Sequence, residues 1–152
     1  MTLSLQEISD RFELQDLIVA YSTSVDTKDW TRYESLFTPD AVIDYTEAGG
    51  VRGQPKEVAA WLGKVMPNFP AYQHMISNVD LTISGDEATG RTMLFNPMGC
   101  TTPTGMQVAL IGPQMDAVQA LVRQGGADIG QTDHADQGVV GGVVALLQRV
   151  GQ

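Results

Sequence analysis

The chain has 152 residues, 43% of them hydrophobic, which suits one compact domain able to bury a continuous core without metals or disulfides. A net charge of -9 repels phosphate backbones and anionic membrane surfaces, so nucleic acid and membranes are excluded as partner classes. A lone cysteine, Cys100, excludes a disulfide framework, and no CxxC or HExxH spacing offers a zinc site, so neither a metal nor an organic cofactor is expected.

The first residues carry no basic start with an apolar run, and no stretch reaches the roughly 20 apolar residues that cross a bilayer. A cytoplasmic location is the expectation. Ser4-Leu5-Gln6-Glu7 reads as a capping box that opens a helix reaching Asp26. Ile8, Phe12, Val19 and Asp26 follow steps of four, seven and seven, which places them on one stripe of that helix and points Asp26 the way Phe12 and Val19 point.

Asp29 to Phe37 reads as a short second helix with Trp30, Tyr33 and Phe37 on one face, bounded by Thr38-Pro39-Asp40. Ala41 to Tyr45 is a strand, followed by a Gly49-Gly50 turn and a short strand near Val51. Pro55 suits the first turn of a third helix reaching about Met66, with Val58, Trp61, Leu62 and Val65 on its apolar side. From His74 to Ile83 the chain alternates, with His74, Ile76, Asn78, Asp80 and Thr82 on one face. Ser84 to Glu87 makes a hairpin connection, and Ala88 to Phe95 the partner strand.

The composition breaks after Phe95. All ten aromatic residues lie at or before that position, no lysine follows Lys64, and ten of the sixteen glycines fall in the last 57 residues. Two explanations stand: a reading frame that shifts shortly after Phe95, or a divergent C-terminal part of the same single domain. In this stretch Met106 to Ile111 reads as a strand, Gln114 to Arg123 as a helix, and Val139 to Val150 as a helix or an apolar strand. His134 has no second histidine or cysteine near it and is set aside as a metal or triad element.

By spacing alone, the plain reading of the two most informative residues leads: Asp26 caps the turn Thr27-Lys28-Asp29, and His74 fills a strand position. The wider pattern reverses that order. The helix Ile8 to Asp26, the segment from Asp29-Trp30 to Phe37-Thr38-Pro39-Asp40-Ala41, the strand Val42-Ile43-Asp44-Tyr45 and Tyr72-Gln73-His74 opening a long strand resemble the SnoaL-like branch of the nuclear transport factor 2-like superfamily. That resemblance spans about residues 7–95. It implies an α+β fold, a cone-shaped curved mixed sheet packed with three N-terminal helices around an apolar pocket, and a homodimer paired through the outer sheet face.

Bile-acid dehydratases, scytalone dehydratase and hexachlorocyclohexane dehydrochlorinase resemble this chain most closely in chemistry. The resemblance implies that Asp26 and His74 form an acid–imidazole dyad and that Tyr21, five residues before Asp26, touches the reacting oxygen. Trp30, Tyr45, Trp61 and Phe95 are expected to line an apolar cavity for a small hydrophobic ligand, with Asn78 and Arg91 reaching into it. The reaction implied is a cofactor-free elimination or isomerisation of a polycyclic, terpenoid or aromatic compound; the alternative is a non-catalytic small-molecule binding or protein-interaction module.

Overall fold

The computed structural model describes residues 2–85, 87–110, 117–123 and 142–148. Helix α1 (Leu5–Asp26) starts from a reciprocal capping box: the Glu7 amide donates to Ser4 Oγ at 3.1 Å, and the Ser4 amide donates to Glu7 Oε2 at 2.7 Å. Its buried face carries Leu14, Leu17, Ile18, Tyr21 and Val25. Ile8, Phe12 and Val19 are exposed, so the stripe they share is the outer one. Two apolar stripes run along α1, and the one spaced three and four residues apart without a break is the one the sheet covers.

Asp29 caps α2 (Trp30–Ser35) by accepting the Arg32 amide at 3.0 Å, and the Tyr33 ring closes against Phe37 with 4.9 Å between centroids. Strand β1 (Ile43–Asp44) pairs antiparallel with β2 (Arg52–Gly53) across a turn whose Gly49 has φ 77°. Helix α3 (Pro55–Val65) buries Val58, Ala59 and Leu62. Tyr33, Ile43 and Val58 are fully enclosed, and they centre a core that takes in α1, both shorter helices and the inner face of the sheets.

The remaining strands are β3 (Ala71–Tyr72), β4 (Met75–Ser84), β5 (Glu87–Phe95), β6 (Pro97–Thr102), β7 (Gly105–Leu110), β8 (Ala117–Arg123) and β9 (Gly142–Gln148). Two sheets result, in the orders β3-β6-β7 and β4-β5-β8-β9, with β8 and β9 parallel and every other pair antiparallel. The chain passes from one sheet to the other between β3 and β4, and returns between β5 and β6. Gln73-His74 makes the first passage and Asn96 the second.

A β-bulge sets the faces of β4. The register shifts by one residue between Ser77 and Asp80, and Asn78 there takes a left-handed conformation with φ 51°. The extra residue puts Ile76 and then Val79, Leu81 and Ile83 on the less exposed face, with Leu81 and Ile83 packed against the core, while Asn78, Asp80 and Thr82 are exposed. The strict alternation expected from His74 to Ile83 is thereby overturned, because a bulge breaks the period of two without leaving a sequence mark. On β5 the inner face is Ala88, Gly90, Thr92 and Leu94, and the outer one carries Arg91 and Phe95.

The segment Ala117–Arg123, expected as the end of a helix, is strand β8, hydrogen-bonded to β5 and β9. Short apolar runs of this kind satisfy both helix and strand templates, and pairing with a sheet decides between them. Residues 105–110 and 142–148 are strands, whereas His134 and the rest of 124–141 lie outside the described residues. Among the described residues no helix is long and apolar enough to cross a membrane.

Candidate active site

Helix α1 ends in a backbone motif that fixes Asp26. The Asp29 amide donates to the Ser24 carbonyl at 2.8 Å and the Lys28 amide to the Val25 carbonyl at 3.1 Å, with Lys28 in the left-handed region at φ 59°. Backbone groups close the turn, which leaves the Asp26 carboxylate to other partners. It reaches the passage between β3 and β4: the His74 backbone N–H donates to Oδ1 at 3.2 Å and Oδ2 at 3.1 Å, and His74 Nδ1 lies 2.6 Å from Oδ1.

A carboxylate in the last turn faces the negative end of the helix dipole, a placement that costs a few tenths to about 1 kcal/mol. Three contacts from a single residue 48 positions away offset it. The His74 side chain is 10% exposed and that of Asp26 25%, so the pair is largely shielded from solvent, where a charge-assisted hydrogen bond is stronger than at the surface. Tyr72 stands edge-on to the His74 ring at 6.4 Å and donates its hydroxyl to the Val25 carbonyl at 3.1 Å. Burial, and then the negative charge of Asp26, push the Tyr72 phenol above its ordinary value.

Asn96 completes this cluster, and no feature of the sequence reading pointed to it. Its Nδ2 lies 3.1 Å from His74 Nε2. The contact follows from the register. Tyr72 pairs with Met98 and Met75 with Phe95, so the two passages between sheets bring His74 and Asn96 face to face. Counting back from the hairpin pair Ser84–Glu87 without the Asn78 bulge would set Pro97 opposite His74 instead.

A second group gathers phenols. Tyr45 Oη lies 2.5 Å from Tyr21 Oη and 3.1 Å from Tyr33 Oη, and Trp61 stacks at a tilt on Tyr45 with 6.3 Å between centroids. Trp30 meets the edge of Tyr33 at 6.2 Å. Tyr33 is fully enclosed, and burial, followed by the neighbouring Tyr21, pushes its phenol far above the ordinary range. Gly50 permits the arrangement, since a Cβ there would lie 2.7 Å from Tyr45 Cβ and 2.9 Å from the Trp61 ring.

Of the residues singled out in the sequence, Asp26 and His74 touch, while Tyr21, Tyr45, Trp61 and Trp30 are tied together through Tyr33 and Tyr45. Three are corrected. Asn78 is the bulge residue and points outward; Arg91 stands opposite Asp80 on the exposed face of β5; Phe95, 50% exposed, shares that face and stands opposite Met75. None of the three lines the interior.

A family model described as a SnoaL-like domain matches residues 6–127. The chain belongs to the SnoaL-like family. The match runs past Phe95, further along the chain than the resemblance read from the sequence. Uncharacterized proteins of Mycobacterium tuberculosis and Mycobacterium bovis are 45% identical over 96 residues, 63% of this chain and 65% of theirs, so the chain spans just under two thirds of those relatives.

Among solved structures, a protein of Novosphingobium aromaticivorans described as a candidate aromatic ring hydroxylase is 25% identical, with a TM-score of 0.54 over 66% of this chain and 85% of its own. A Mycobacterium tuberculosis protein of unknown function is 16% identical, with a TM-score of 0.57 over 94% and 72%. A hexachlorocyclohexane dehydrochlorinase from Novosphingobium barchaimii is 18% identical, with a TM-score of 0.51 over 68% and 84%, a likeness of fold. The family's fold is thus an α+β one, with N-terminal helices on curved sheets.

Proposed function

We propose that this protein catalyses a cofactor-free elimination or isomerisation of a small hydrophobic molecule, with His74 as general base. The observation that carries the reading is the 2.6 Å contact between His74 Nδ1 and Asp26 Oδ1. A carboxylate that accepts Nδ1–H fixes the tautomer, presents Nε2 as the basic nitrogen, and stabilises the imidazolium once the proton has moved. In an elimination Nε2 takes a proton from a ligand carbon, the C–H electron pair becomes the new double bond, and the leaving oxygen departs with its bonding pair. Tyr21, linked to Tyr45, supplies the proton that releases it as water.

A second reading is a binding module that holds the same ligand class without turning it over. The Asn96 amide favours it by occupying Nε2, the nitrogen a base would use. We place a second copy of the chain on the outer sheet face, making the working unit a homodimer. A panel of hydrophobic alcohols and ketones, assayed for binding and turnover from pH 5 to 9 with the wild type and His74→Ala, decides between the readings. Turnover lost in His74→Ala supports the base; wild-type binding with no turnover at any pH sinks the enzyme reading in favour of the module.

A further inference from the structure

Asn96 is the one polar group that meets the ring on the side away from Asp26 among the described contacts, and its amide is half used. Nδ2 faces His74 Nε2 at 3.1 Å, while Oδ1 is buried and has no hydrogen-bond partner. An orphaned buried carbonyl oxygen costs about 1–3 kcal/mol, so a sequence that keeps one calls for a physical reason. The reason lies in what an amide offers that neither a carboxylate nor an alkyl group does. It carries a donor and an acceptor on the same carbon, exchanged by a half-turn about one bond.

The neutral ring, with Nδ1–H donating to Asp26, presents a lone pair at Nε2 and needs a donor there, which Nδ2 supplies. The protonated ring presents N–H at Nε2 and needs an acceptor, which Oδ1 supplies after the half-turn. In either state one amide atom is paired and the other is orphaned. We propose that Asn96 is a positioning residue that serves His74 before and after proton transfer: the amide swings off Nε2 while that nitrogen's single lone pair meets the ligand C–H and returns through Oδ1 once Nε2 is protonated, so that the ring keeps its place between Asp26 and the sheet passage. This rests on His74 acting as the base.

Other groups around the ring do not perform that service. Asp26 holds Nδ1 in both states, Tyr72 presents a ring edge, and Lys28 Nζ lies over the far Tyr72 ring at 5.4 Å from its centroid. A carboxylate in place of Asn96 would accept only, favouring the imidazolium and disabling the base. A leucine would serve neither state.

Nitrogen-15 spectra of the full chain test this, with His74→Ala separating the His74 ring signals from those of His134. In the wild type with a neutral ring, Nδ1 is protonated, Nε2 is not, and a coupling across the hydrogen bond joins Nε2 to Asn96 Nδ2. On acidification Nε2 gains a proton and the coupling vanishes, while the ring stays in contact with Asn96. Asn96→Asp keeps both ring nitrogens protonated at pH values where the wild-type ring is neutral, and lowers kcat on the order of 100-fold with KM little changed. Asn96→Leu retains Nδ1–H but moves the Nε2 signal to that of a free acceptor.

Absence of the coupling in the neutral wild type overturns the proposal and needs no variant to fold. So does a ring protonation profile in Asn96→Asp identical to the wild type's. Turnover that survives His74→Ala defeats the base itself, a result read separately from the nitrogen spectra.

Discussion

Asp26 does two jobs that substitution can separate. Its carboxylate accepts the backbone N–H of His74 as well as the ring, so it ties the end of α1 to the start of β4. Asp26→Ala leaves that amide without an acceptor and should cost about 1–3 kcal/mol in urea unfolding. Asp26→Asn keeps one acceptor and should cost less, while both variants lose turnover on the order of 10²–10⁴-fold if the carboxylate stabilises the imidazolium. Equal stability losses for the two would show that the backbone contact contributes nothing. Tyr33 gives a pH-dependent prediction. Its phenol is pushed above the ordinary value of 10.0, so above that pH the unfolded chain loses its proton first. Stability is therefore full below about pH 10 and falls as pH rises beyond it. Tyr33→Phe should make the alkaline decline shallower when unfolding is followed from pH 8 to 11, and an unchanged slope would exclude Tyr33 as its source.

At the level of elements, the bulge in β4 links packing to the site. At φ 51°, Asn78 sits in the left-handed region, which asparagine tolerates better than most residues because a short amide can bond locally, whereas a β-branched side chain meets a steric penalty there. Asn78→Val should destabilise the fold by roughly 1–2 kcal/mol and Asn78→Gly should be close to neutral, as read by thermal melts. Equal melting temperatures for Asn78→Val and wild type would mean the strand refolds without its bulge. The helices were legible in the sequence because caps are local: Ser4 with Glu7, Asp29 with the Arg32 amide, and Pro55 at a helix start each act within one turn. The bulge was not, since nothing within β4 separates Asn78 as an extra residue from Asn78 as an ordinary one. From that single residue follow the faces of Asn78, Asp80 and Thr82, and the pairing of His74 with Asn96.

For the whole molecule, exposed apolar residues fall on the outer stripe of α1, with Ile8, Phe12 and Val19, and on the exposed face of the β4–β5 pair. Met75 and Phe95 are cross-strand partners, 44% and 50% exposed, where a monomer would leave them against water. The proposed homodimer covers them. Sedimentation should then give twice the 16.4 kDa chain mass, and Phe95→Glu should return the mass to that of one chain by placing a charge in the contact. A wild type that sediments as a single chain at micromolar concentration would remove the dimer.

Composition and local pattern were enough to reach a single α+β family, its three helices and the Asp26–His74 pairing, because each depends on caps, periodicity or a motif that resembles a known family. The stripe of α1 that meets the sheet, the strand identity of Ala117–Arg123, the outward turn of Arg91 and Phe95, and the place of Asn96 depended on which segments pair and in what register. Those are long-range facts. A one-residue shift in a strand moves every later side chain to a new partner at almost no cost to local propensity, so only the assembled sheets decide it.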